Sequence, residues 1–153
     1  MYLFFLTLHS WFRWVVLLSL GLGLYRSYRG WPGQHAFTPL DNTIRHTTAT
    51  IAHVQLMLGY VLYFQSPTVS QFLAHRHDAT YEQQPLFFGL LHVVLMTVAI
   101  VVLTIGSSLA KRRPTSPAKF RTMALWFTAA LLLLFLAIPW PFSPLASRPY
   151  FRF

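Results

Sequence analysis

Three histidines lie inside long apolar stretches of this chain: His9, His53 and His92. A neutral imidazole carries a nitrogen lone pair, so each can ligate haem iron, copper or zinc. Arg13 follows His9 by four residues, which puts both side chains on one stripe of a helix. The Arg13 guanidinium is a natural partner for a haem propionate, because it pairs with a carboxylate in bidentate fashion. Other chemistries are missing. The chain has no cysteine, which removes disulfides, thiolate metal sites, covalent haem attachment and cysteine nucleophiles. Asp41, Asp78 and Glu82 are its only acids, and all fall between the apolar stretches, so paired-carboxylate catalysis has no buried seat. There is no Ser-His-Asp arrangement, P-loop, GxGxxG or HExxH. No catalytic residue is assigned, and the residues suit an electron-transfer component better than a self-contained catalyst.

The elements that must position these groups are membrane spans. Hydrophobic residues make up 55% of the 153 and charged ones 10%, against the ~25% charge of ordinary soluble domains. Four apolar stretches cover about 2–25, 47–64, 85–109 and 122–140. Each is long enough to cross a hydrocarbon core as a helix, and no period-2 alternation suggests a barrel. The expected architecture is an all-α, four-transmembrane-helix bundle forming one domain over 1–153. The start Met1-Tyr2-Leu3-Phe4-Phe5 has no basic leader and reads as a retained first span. Pro39 reads as a breaker, with Asp41 or Thr43 as the cap of the second helix. Residues 67–74 suit a short helix lying on the membrane surface.

Charge sets the orientation. Arg26, Arg29 and Arg45 lie between spans one and two, and Lys111, Arg112, Arg113, Lys119 and Arg121 between spans three and four. Both connections are on one side, and the other side has Arg76, Arg148 and Arg152. The positive-inside rule then places both termini on the outer, periplasmic side of a bacterial inner membrane. The net charge of +9 is explained by orientation and by anionic lipid headgroups, without nucleic acid. The lipid bilayer is one partner, and other subunits of a membrane complex are further ones.

In this orientation the depths converge. His9 and His92 each lie roughly 10 Å below the outer surface and His53 roughly 16 Å, at 1.5 Å per helical residue. One face of span two reads His46, Thr50, His53, Met57, Tyr60, and one face of span three reads Gly89, His92, Met96, Ala99, Leu103, Gly106. The expected cofactor site is therefore His9, Arg13, His53 and His92, with the three histidines as the metal ligands. Two of them would clamp a haem b and the third would contact a quinone or hydrogen-bond nearby. A three-imidazole copper or zinc site and a purely structural packing role remain open on the same residues. Met57 and Met96 read as core filler, and His75-Arg76-His77-Asp78 as a solvated loop.

The strings His9-Ser10-Trp11-Phe12-Arg13-Trp14, Ala52-His53-Val54-Gln55-Leu56-Met57-Leu58-Gly59-Tyr60, Thr104-Ile105-Gly106 and Ile138-Pro139-Trp140, together with His92, carry a resemblance. They are similar to a group of small four-helix bacterial membrane proteins described as cytochrome b-like. HSxxRW and AHxQ are the most specific parts. The group has an acidic residue just before the third histidine, where this chain has Leu91. The resemblance implies haem b, electron transport within a respiratory-type complex, and His9, Arg13, His53 and His92 as the functional set. The alternatives are a cofactor-free accessory subunit and a copper, zinc or haem handling protein.

Overall fold

The computed structural model describes residues 1–33, 35–75 and 83–151. Arg76, His77, Asp78, Glu82 and Arg152 lie outside the described residues. The chain is all-α: α1 (Tyr2–Gly30), α2 (Pro39–Gln65), α3 (Pro67–Ala74), α4 (Gln83–Leu86), a π-helical turn (Phe87–Leu91), α5 (His92–Arg112) and α6 (Ser116–Ala137). Tyr2–Gly30, Gln84–Arg112 and Ser116–Ala137 are long and apolar enough to cross a membrane, which marks a multi-pass membrane protein.

α2 is long enough as well, at 27 residues, but too polar to qualify on composition. Much of its polarity is met by neighbours. Thr48 donates to Ser19 O (3.1 Å), and Gln55 Nε2 donates to His9 O (3.0 Å). Arg45 is buried and donates to Ser107 O (3.0 Å) and to Asn42 Oδ1 through Nη2 (2.9 Å).

The start of α2 corrects the sequence reading. Pro39 does not break the chain; it occupies the first turn, where its missing N–H is no loss. Thr38, not Asp41 or Thr43, is the cap. Its hydroxyl accepts from Asp41 N–H (3.3 Å), while Asp41 Oδ2 accepts from Thr38 N–H (2.9 Å), a reciprocal capping box. Asp41 also takes Arg26 of α1 (Nη2–Oδ1 2.7 Å), which ties the two helices together at their loop. Burial by itself favours the neutral acid. The bonds from Thr38 and the Arg26 guanidinium outweigh it and hold the Asp41 carboxyl below the usual carboxylate range.

The long helices pack in a ring, α1 on α2, α2 on α5, α5 on α6 and α6 on α1. Val16, Leu20, Ala99, Leu103, Phe127 and Leu134 are among the core they share. The small residues set the spacing. A Cβ on Gly106 of α5 would overlap the Cβ of Trp126 on α6. Gly106→Val is therefore expected to lower stability by ~1–3 kcal/mol, the usual cost of overpacking, read as a lower Tm in detergent.

At the opposite end from the capped loop, Ser66 ends α2 and caps α3, accepting from Val69 N–H (3.4 Å). α3 packs against the π-helical turn. That turn closes with His92 N–H bonded to Phe87 O, and Gly89 O accepts from the Tyr63 hydroxyl of α2 (3.0 Å). His92 is thus the first residue after a register change, a place where π-turns commonly re-aim a functional side chain. α6 stops at Ala137, three residues short of the expected span end, and Ile138 is extended. The chain then turns back across this end of the bundle toward α1.

Candidate functional site

A cavity of about 210 Å³ opens between α1, α2, α5 and the segment after α6. His9, Ser10 and Arg13 line it from α1, Gln55, Gly59 and Tyr60 from α2, His92 and Met96 from α5, and Arg148 from the returning segment. The rest of its wall is mostly apolar, with Tyr63, Ser66 and Thr68 as further polar groups.

His9 and His92 face one another there. Their ring centroids are 6.5 Å apart and the planes nearly perpendicular, at 70°. Two imidazoles sharing one metal ion through bonds of ~2 Å have centroids a little over ~6 Å apart, so the separation suits a bis-imidazole site. His92 Nδ1 lies 2.8 Å from Ala137 O. A carbonyl only accepts, so the neutral ring carries its proton on Nδ1 and its lone pair on Nε2. A second-shell carbonyl of this kind orients most metal-binding histidines. Phe87 and Phe88 flank the same ring, with centroids at 5.7 and 5.9 Å. On the other side, an added Cβ at Gly59 would come 3.2 Å from His9 Cε1, so the glycine leaves the room that the His9 ring occupies.

Among the described residues, His9 Nδ1, Arg13 Nε and Gln55 Oε1 around this cavity are buried polar atoms with no hydrogen-bond partner. Buried polar atoms are normally satisfied, and a cluster of exceptions around one cavity is the mark of a place made for something else. Arg13 turns its other end outward. Its Nη2 donates to Pro149 O (3.3 Å) and to Tyr150 O.

The structure brings together His9, Arg13 and His92, and it does not bring His53 to them. His53 lies close to the level of His9 along the bundle, since Gln55, two residues on, bonds His9 O. Its direction around the helix, however, is away from the cavity. His53 is exposed on the outer surface of α2, with Nδ1 2.7 Å from Ala49 O and Nε2 3.3 Å from Thr104 Oγ1. Of the stripe on α2, His46, Thr50, His53 and Met57 face outward, Met57 being 68% exposed, whereas Tyr60 lines the cavity. The stripe on α5 behaves as expected: Gly89, Ala99, Leu103 and Gly106 are buried, and His92 and Met96 line the cavity.

A three-imidazole copper or zinc centre loses its third ligand by this geometry. Among the described residues, no group of three or more His, Asp or Glu side chains is placed to hold a metal ion. Arg148 is the residue that sequence reasoning missed, because it follows the last helix and reads as a loop charge. It reaches the cavity wall, donating from Nη2 to Gln84 Oε1 (2.8 Å) with its guanidinium 5.0 Å from the Phe88 ring. The available signal was an arginine set in the aromatic, proline-rich run Pro139–Phe153.

Comparison with protein families, curated proteins and solved structures returns no match. The site therefore rests on its own chemistry.

Proposed function

We propose that this chain is a b-type haem membrane protein that carries electrons, between a quinol and a partner or within a respiratory-type complex. The observation that carries the reading is the His9–His92 pair, two imidazoles from different helices 6.5 Å apart across one cavity. The similarity of HSxxRW and AHxQ to cytochrome b-like proteins supports it. In this reading α2 completes a four-span bundle, its polar groups turned to protein as well as to lipid. The basic loops lie in the cytoplasm and both termini outside, in a bacterial inner membrane.

Haem, when bound, supplies one-electron chemistry that no side chain here can provide. The chain's own residues do the rest. His92 and His9 would hold the iron, His92 through Nε2 because its Nδ1 is bonded to Ala137 O. Arg13 and Arg148, which line the same cavity, would be the cations for the haem carboxylates. Apolar walls and the segment after α6 limit water. The test is a reduced-minus-oxidised spectrum of the purified protein together with its iron content. A Soret band and about one iron per chain are expected from one bis-imidazole site; a protein with neither, even after expression with added haem precursor, sinks the reading.

A second reading, a cofactor-free accessory subunit, is favoured by the outward stripe on α2. His46, Thr50 and His53 face away from the bundle. Polar groups turned to hydrocarbon are costly, so this face suits a neighbouring subunit. Co-purification of a stoichiometric partner, lost on His53→Leu and with no haem in either form, would establish it instead.

A further inference from the structure

The three unpartnered atoms around the cavity need different things. The His9 carbonyl only accepts, so the Gln55 amide must turn its nitrogen to it (3.0 Å) and keep its oxygen for another group. Among the described residues, Gln55 Oε1 then lacks a donor, and Arg13 Nε, which only donates, lacks an acceptor. His9 Nδ1 can serve either way, by choice of tautomer. These atoms gather on the α1–α2 side. Arg13 is one turn from His9 on α1, and Gln55 is one turn from Gly59, whose added Cβ would come 3.8 Å from His9 Nδ1. An ionised carboxylate would meet Arg13 and leave Gln55 unmet, because it only accepts. A hydroxyl both accepts and donates, and so can meet them all.

The rest of the cavity describes the body of the occupant. Val93, Met96 and Ile100 supply apolar wall beside the Tyr60 and Phe88 rings. At about 210 Å³ it lies below the ~300–1,000 Å³ of sites for drug-sized ligands. That is room for one substituted ring, whereas a porphyrin would need the walls to part. Tyr60 and Val93 also border a groove with Val94, Thr97 and Val98, on the surface between α2 and α5. Val94 and Val98 are 48% and 44% exposed there, an apolar path to the bilayer for a tail.

We infer that the cavity binds the ring of a quinol drawn from the bilayer, Gln55 Oε1 accepting from a hydroxyl, Arg13 Nε–H donating to a ring oxygen and the tail lying toward Val94 and Val98. The inference rests on the quinol of the reading above and uses no haem. It adds a preference. The quinone form of the same ring has no hydroxyl hydrogen, so it would leave Gln55 Oε1 buried without a donor. The cavity therefore favours quinol over quinone.

The test is thermal unfolding of the purified full chain in detergent, titrated with decylubiquinol kept reduced or with decylubiquinone. A bound ligand raises Tm by mass action, which gives the two dissociation constants. The quinol is expected to bind about 10-fold more tightly, the cost of a buried acceptor left unpaired. Gln55→Leu is expected to bring the two forms to equal affinity. His53→Leu, on the outer surface, should keep the preference. Equal affinities in the native chain overturn the inference, as does no Tm rise with either form, the result for a cavity that holds water only. A preference kept in Gln55→Leu also overturns it, and so does a Tm rise from decanol equal to that from the quinol, which would mean any hydroxylated amphiphile. If Gln55→Leu does not fold, the native ratio and the decanol control decide alone. Iron content and the Soret band, read on the same sample, keep the haem reading apart. A quinol preference without iron supports this site and strikes haem; iron with equal affinities does the reverse.

Discussion

Replacing His92 with alanine is expected to abolish the reduced-minus-oxidised spectrum, while His53→Ala leaves it in place. Loss of a residue that only hydrogen-bonds a metal ligand typically lowers metal affinity by ~10–100-fold, and His92 is proposed as a ligand itself, so its loss should exceed ~100-fold. The two histidines look alike in the sequence, each in an apolar helix with a methionine one turn on. The structure separates them, His92 on the cavity and His53 on the outer surface. Far-ultraviolet circular dichroism should be unchanged in both variants, because neither side chain completes a helix. A spectrum lost with His53 and kept without His92 would reverse the assignment of the site.

The second large effect is on stability. Asp41→Asn is expected to destabilise the protein by ~3 kcal/mol, toward the low end for breaking a buried ion pair because Arg26 keeps 30% exposure. The change also weakens the Thr38 capping box, whose two bonds depend on the Asp41 side chain and backbone together. The pH dependence follows from the same bonds. The folded carboxyl titrates below its unfolded value of ~3.9, so its contribution is complete above that pH and is lost as pH falls through the folded value. Thermal unfolding in detergent between pH 7 and pH 3 measures both effects. The native chain should lose Tm steeply below about pH 4, and the Asn variant should start lower and fall less.

Much of the fold was legible because hydropathy and helix length are one-dimensional properties. The stretches 2–25, 85–109 and 122–140 lie in helices long and apolar enough to span, and 47–64 lies inside α2. The site was half legible. Depth along a helix follows from counting residues, so His9 and His92 meet as expected. Rotation about the axis needs one apolar face to stand out, and α2 has none. Its polar residues occur all round, and the face that packs inward is built from Asp41, Arg45, Thr48, Ala49 and Ala52 rather than from the histidines. The start of α2 was missed for a different reason. Thr38-Pro39-Leu40-Asp41 is a capping-box pattern with proline at its first helical position, but proline also ends helices, and the sequence read alone favoured that use. Arg148 was out of reach because its place depends on the path of an irregular segment.

Arg13 and Tyr150, 137 residues apart, are joined directly. At ~5–20 residues per second, a ribosome makes the second roughly 7–27 s after the first. Throughout that interval Arg13 is without the two carbonyls that it bonds in the folded chain. A message truncated between α6 and Pro149 would yield a chain whose Arg13 never gains these acceptors.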